Sequence, residues 1–133
     1  MDDEDFPGAA FFLRLGRRMA TDPELAVCGR FLDLAVGFES DGNRQVITFH
    51  EGQLVGVAPD REDGVDLAFS GSHEDWERFL SREPPPGYAD VVGMDRRGDT
   101  FSITGDATVL ARHLRALSCV LRLARAEATA GAP

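Results

Sequence analysis

The sequence predicts an α+β fold, with a five-stranded, mainly antiparallel sheet covered on one face by helices from both termini and a central helix. Apolar and polar residues alternate in five short runs, and tight-turn sequences separate the first three runs. Apolar residues also recur at helical spacing near both termini and again after residue 72. Because a sheet with one apolar face must bury it, the helices are expected to cover that face.

The first helix is expected over residues 9–20, where Phe12, Leu15 and Met19 lie on one side. Asp41-Gly42 and Glu51-Gly52 are hairpin turn signals, so the first three strands should form an antiparallel meander. The five strands are expected at residues 31–39, 44–50, 53–58, 65–69 and 100–104. Alternation places Asp33 and Glu39 on a polar face of the sheet.

A central helix is predicted to begin at Ser72, directly after the fourth strand. Ser72 is a favoured N-cap residue, and Asp75 stands three residues later, where its carboxylate can accept from the N-cap amide. Trp76 and Phe79 follow at helical spacing. This helix should therefore fold back on the sheet through its aromatic side.

The last helix is predicted to start at Asp106 or Thr108 and to be long. Its apolar stripe comprises Leu110, Leu114, Leu117, Leu121 and Ala124, and the arginines expected to face water are Arg112, Arg115, Arg122 and Arg125. A short helix is also expected at residues 88–94, followed by a turn at residues 96–99.

The stretch from Asp66 to Phe79 resembles the middle of the sterol carrier protein type 2 domain. It consists of an acid, alternating apolar residues, and then Ser-Gly-Ser-His-Glu-Asp-Trp. The hairpin at residues 49–54 and the late strand that ends in Gly105-Asp106 agree with the same family, over roughly residues 12–121. The resemblance implies a lipid-binding or lipid-transfer domain that holds a fatty acid, acyl-CoA or sterol-like ligand between sheet and helices.

Length and composition are those of one soluble domain. The 133 residues are interpreted as an acidic, flexible segment at 1–8, a single sterol-carrier-like domain at 9–127 and a flexible segment at 128–133. The formal net charge of −9 argues against a nucleic-acid partner, and no apolar run is long enough to span a membrane. We expect a bacterial cytoplasmic protein.

The ligand cavity is expected to be lined by large apolar side chains of the sheet and helices. The alternative is a fully packed core with no cavity, because the same residues satisfy either arrangement. The expected lining residues are Phe12, Leu15, Met19, Phe49, Phe69, Trp76, Leu110, Leu114 and Leu117.

The second functional hypothesis is an enzyme of natural-product metabolism, such as an isomerase or cyclase, on the same fold. Asp33, His50 or His113 would be its acid or base, although the strand pattern points Asp33 away from the apolar face. No lysine is present, so no Schiff base can form. The sequence predicts no metal site, because no pair of histidines has zinc spacing, and it indicates no cofactor.

Three further features leave alternatives open. The arginine pairs Arg17-Arg18 and Arg96-Arg97 are either ordinary surface charges or a site for a carboxylate or phosphate at a cavity mouth. Cys28 and Cys119 are either buried free thiols or a disulfide. A third functional hypothesis is a structural or regulatory partner module, and a homodimer is possible.

Overall fold

The computed structural model describes residues 5–60 and 64–130, which form five helices and five strands. The helices are α1 (Ala9–Thr21), α2 (Pro23–Cys28), α3 (His73–Phe79), α4 (Val91–Arg97) and α5 (Ala107–Thr129). The strands are β1 (Leu34–Ser40), β2 (Asn43–His50), β3 (Gln53–Ala58), β4 (Leu67–Gly71) and β5 (Ser102–Gly105). The predicted α+β class is confirmed.

The sheet has the order β3-β2-β1-β4-β5. The first three strands form the predicted antiparallel meander, and β5 pairs antiparallel with β4. The pairing of β1 with β4 is parallel, with Phe38 opposite Phe69. β4 therefore lies on the side of β1 away from β2, and the corner at Ser72 follows directly after it.

Both predicted hairpin turns have the backbone geometry that their residues favour. Asp41 and Gly42 have φ values of 47° and 86°, and Glu51 and Gly52 have 50° and 79°. Two consecutive positive φ values define the turn that matches the twist of a two-residue hairpin. At Gly52 a Cβ would also lie 2.6 Å from the carbonyl oxygen of Gly29, so a side chain there is sterically excluded.

One face of the sheet packs on the helices and forms the hydrophobic core. The ring of Phe38 lies 5.3 Å from that of Phe12 and 5.6 Å from that of Phe69, measured between ring centroids. Phe6 joins this cluster from outside the predicted domain boundary, with its ring 4.5 Å from Trp76. Residues 1–4 of the predicted flexible segment lie outside the described residues, but Phe6 packs on the core.

The opposite face of the sheet is less polar than predicted. Of the two polar residues expected there, Asp33 precedes β1 and Glu39 lies near the end of that strand, whereas Ala35, Val46 and Ala68, in the middle of the sheet, are buried. A Cβ at Gly37 would lie 3.3 Å from the guanidinium carbon of Arg44 and 3.5 Å from the Ala68 Cβ, so the long Arg44 side chain lies across this face and shields its small neighbours.

The capping box predicted for α3 is present. The Ser72 hydroxyl accepts from the Asp75 N–H at 3.1 Å, and the Asp75 carboxylate accepts from the Ser72 N–H at 3.1 Å. α5 begins at the cap Asp106, whose carboxylate accepts from the Thr108 N–H. No helix in the described ranges is both long enough and apolar enough to cross a membrane.

The region between α3 and β5 differs from its prediction. The helix expected at residues 88–94 starts later, at Val91, because the Asp90 side chain caps it by accepting from Gly93 N–H. Arg96 and Arg97, which were expected in a turn between two elements, are instead the last two residues of helix α4. Gly98, with φ 72°, ends the helix.

Candidate functional site

A groove of about 330 Å³ lies between α5, α4 and the end of α3. This volume is at the lower end of the roughly 300–1,000 Å³ typical of small-molecule pockets. Most of its lining residues are apolar. The lining residues are Phe79, Ala89, Asp90, Val91, Val92, Leu114, Ser118, Leu121, Arg122 and Arg125.

The long wall of the groove is one side of α5. Leu114, Leu121 and Arg125 are separated by seven and four residues, which places them in line along a helix with 3.6 residues per turn. Eleven residues of helix span about 16 Å at 1.5 Å per residue. The groove is therefore elongated, with apolar side chains along its length and a guanidinium at one end.

Arg125 is held at that end by the two shorter walls. Its Nε donates to the carbonyl oxygen of Phe79 at 2.8 Å, and Nη2 donates to the carbonyl oxygen of Ala89 at 3.3 Å. The guanidinium carbon lies 4.7 Å from the centre of the Phe79 ring, within range of a cation–π interaction. The prediction that Arg125 faces water is wrong, because these contacts turn the side chain back over the groove.

The other two charged side chains of the groove have partners. Arg122 Nη2 lies 3.1 Å from Asp22 Oδ2 and 3.4 Å from Glu24 Oε2. Burial alone would lower the pKa of Arg122, but the hydrogen bond to Asp22 and the charges of Asp22 and Glu24 raise it above its ordinary value. The Asp90 carboxylate accepts from Gly93 N–H at 2.8 Å.

The predicted cavity residues are brought together, but mainly as packed core. Seven of them are at most 2% exposed: Phe12, Leu15, Met19, Phe49, Phe69, Trp76 and Leu117. Leu110 is partly buried against the same core, and Leu114 lines the groove. That all nine line a ligand cavity stays a prediction.

A second groove, of about 360 Å³, lies between the start of α1, α3 and the end of α5. Trp76, Phe6 and Phe11 form its apolar part. Two of its charged groups pair with each other, since Glu127 contacts Arg14 at 3.4 Å, and Glu127 also contacts Arg18, outside the groove lining, at 2.9 Å. Arg18 was a candidate for binding an anionic headgroup, and this ion pair already occupies it.

The remaining candidate arginines also lie outside the first groove. Arg97 pairs with Asp99 at 3.3 Å and stacks 4.2 Å from the Tyr88 ring centre, while Arg17 and Arg96 are exposed. None of the four lines the groove. The groove residues that sequence reasoning missed include Phe79, Val91, Val92, Leu121 and Arg125, of which Arg125 was detectable from its helical phase with Leu114.

The candidate acid and base residues, Asp33, His50 and His113, do not line the apolar groove. His50 Nδ1 lies 3.3 Å from Asp33 Oδ2, but these side chains are 57% and 65% exposed and neither lines the apolar groove. His113 lies in a separate, polar depression with Asp33. Among the described residues, no three histidine, cysteine or acidic side chains cluster in a way that could hold a metal ion.

The two cysteines are free but adjacent. Their Sγ atoms are 3.2 Å apart, although 91 positions separate the two residues in the sequence. Burial, together with hydrogen bonds to Cys28 and to Glu24, raises the pKa of the Cys119 thiol to about 12. α2 and α5 thus meet at a pair of free thiols.

No family model matches the sequence, and no match was found among curated proteins. Solved structures do match it. The UbiJ-SCP2 ubiquinone synthesis protein is 17% identical, with a TM-score of 0.61 over 87% of this chain and 93% of that one. A crystal structure of sterol carrier protein 2 is 13% identical, with a TM-score of 0.68 over 87% of this chain and 94% of the other.

A third match is a conserved hypothetical protein of Thermus thermophilus that is described as a candidate sterol carrier protein. It is 14% identical, with a TM-score of 0.68 over 90% of this chain and 87% of its own. Identities this low compare folds and leave site chemistry untested. They confirm the fold that the Asp66–Phe79 stretch indicated: the chain has the fold of sterol carrier protein 2.

Proposed function

We propose that the protein is a lipid-binding domain that carries an apolar ligand, such as a fatty acid, an acyl-CoA or a sterol-like molecule. The observation that carries the proposal is the elongated apolar groove along α5. The half-buried side chains of Val92 and Leu114 offer an apolar surface that a hydrocarbon chain can cover, and Phe79, Val91 and Leu121 lie beneath it, nearly buried. The fold likeness to sterol carrier protein 2 supports the same function.

Binding in this groove needs few polar contacts. Each methylene that leaves water for an apolar wall contributes about 0.8 kcal/mol. A 1.4 kcal/mol change is tenfold in affinity, so each additional buried methylene should tighten binding about fourfold. A homologous series of acyl chains should show this increment until the groove is filled, after which further methylenes remain in water.

The groove ends where the packed core begins, and Leu117, one of the predicted cavity residues, lies at that boundary. Leu117 lies between Leu114 and Leu121 on α5 and belongs to the packed core, so the groove borders directly on the layer between helices and sheet. We propose that a longer ligand enters this layer by displacing α5 from the sheet. Phe69 and Leu117 would then contact the ligand in the loaded protein.

The test is to fill the groove and measure uptake of a fluorescent acyl probe. Leu114→Trp places an indole on the groove wall and is expected to weaken probe binding at least tenfold. Leu13→Trp is the matched control, because Leu13 is 55% exposed on α1 and lies outside the groove. Circular dichroism establishes that both variants fold. Equal probe affinity for the folded Leu114→Trp variant and the wild type would exclude the groove as the site.

A further inference from the structure

Among the described residues, Arg125 is the one cation of the groove without a counterion. No carboxylate in residues 5–60 or 64–130 forms an ion pair with Arg125, whereas the neighbouring Arg122 contacts both Asp22 and Glu24. An unpaired charge in a partly buried position is unfavourable, because it loses water without gaining an opposite charge. Burial accordingly lowers the pKa of Arg125, although the guanidinium stays charged at neutral pH.

The hydrogen bonds of Arg125 fix its orientation and leave donors free. A guanidinium has five N–H groups, and the described contacts use one on Nε and one on Nη2. Both acceptors are main-chain carbonyl oxygens, which hold the group in place without neutralising it. Nη1 and the second hydrogen of Nη2 therefore remain available to an oxygen of a ligand.

We propose that Arg125 binds the ionised carboxylate of a single-chain fatty acid whose hydrocarbon tail lies along α5 toward Leu114. This inference rests on the proposed function and selects one ligand class within it. The carboxylate supplies the missing counterion, and the apolar wall between Leu121 and Leu114 receives the chain. A guanidinium already held in a fixed orientation loses little further freedom on binding, which favours a carboxylate over a neutral head.

The rest of the groove is compatible with an anion at this end. Asp90 is the one carboxylate among the lining residues, and it accepts from the N–H of Gly93 at the start of α4. Arg122 contributes little attraction, because Asp22 and Glu24 neutralise it. The choice between charged and neutral ligands therefore depends on Arg125.

The experiment compares ligands that share a chain and differ in head. The assay measures how well each of three ligands displaces a fluorescent acyl probe from the protein: hexadecanoic acid, its methyl ester and hexadecanol. It is run at about pH 8, where the acid is ionised. Because hydrogen bonds to charged groups are the stronger ones, we expect the acid to bind at least tenfold more tightly than the ester or the alcohol. Equal affinities for all three would overturn the inference and leave the proposed function standing. Absence of binding by any of them would reject both.

Substitutions then assign the preference to one residue. Arg125→Gln should reduce the affinity for the acid to that of the alcohol and leave the alcohol unchanged, and Arg125→Lys should keep a preference for the acid. Arg115→Gln is the control, because Arg115 is an exposed arginine of the same helix outside the groove. An acid preference that persists in a folded Arg125→Gln variant would also overturn the inference. If that variant fails to fold, the comparison of heads on the wild type decides.

Discussion

Oxidation of Cys28 and Cys119 to a disulfide is expected to stabilise the protein strongly. The two Sγ atoms are 3.2 Å apart and need to approach by about 1.2 Å to reach the bond length of a disulfide. Each thiol loses one hydrogen, and an added small-molecule disulfide is reduced to two thiols. The reaction joins α2 to α5.

The magnitude follows from the length of the loop that the bond closes. The cysteines are 91 positions apart, and the chain-entropy relation gives about 4 to 5 kcal/mol for a loop of this length. Native-state strain reduces this value, so it is an upper figure for the gain in the free energy of unfolding. It is comparable with a large fraction of the total stability of a domain of this size.

The assay combines mass spectrometry with urea unfolding. The oxidised monomer should lose the mass of two hydrogens, and its free energy of unfolding should exceed that of the reduced protein by several kcal/mol. Addition of a reductant should reverse both changes. Cys28→Ser, at the more exposed of the two positions, is the control that cannot close the loop. Formation of disulfide-linked dimers in place of the intramolecular bond would refute the reasoning, as would a closed bond that leaves stability unchanged.

Further predictions concern the cap of α3 and pH. Ser72→Ala should lower the free energy of unfolding by about 1 kcal/mol, measured by urea denaturation, because it removes the hydroxyl that accepts from the Asp75 N–H. Burial would raise the pKa of Asp75, but hydrogen bonds from Thr100 and Ser72 and the charge of Arg97 lower it overall. Its stabilising contribution is therefore present above the unfolded-state pKa of about 3.9 and lost as pH falls from there through the lower folded-state pKa, so acid titration of stability should be shallower in Asp75→Asn. The raised pKa of Cys119 acts in the opposite direction: stability should fall as pH rises from about 9 toward 12, and Cys119→Ala should lack this slope.

The sequence predicted those elements whose signals are local. Ser72 and Asp75 form the expected capping box because both partners lie within one helical turn. The Asp41-Gly42 hairpin formed because its residues tolerate positive φ. The parallel pairing of β1 with β4 was not predicted. These strands are neighbours in the sheet, but β2 and β3 lie between them in the sequence, so their pairing depends on packing of the whole sheet.

The candidate site could be predicted only in part. Leu114 was assigned to the ligand cavity, and Arg125 stands eleven residues later, about three full turns along the same side of α5. The helical phase of Arg125 therefore placed it on the same side of α5 as Leu114. It was not assigned to the site because arginine is generally expected to face water. The contacts that turn its guanidinium over the groove come from Phe79 and Ala89, which no local pattern connects to residue 125.

The most direct test of lipid binding is native mass spectrometry of the purified protein, followed by organic extraction and mass spectrometry of the extract. We predict a bound species whose mass matches a fatty acid, an acyl-CoA or a sterol-like lipid and which the extract releases. A protein that carries no such mass and takes up no fluorescent acyl probe would contradict the proposed function.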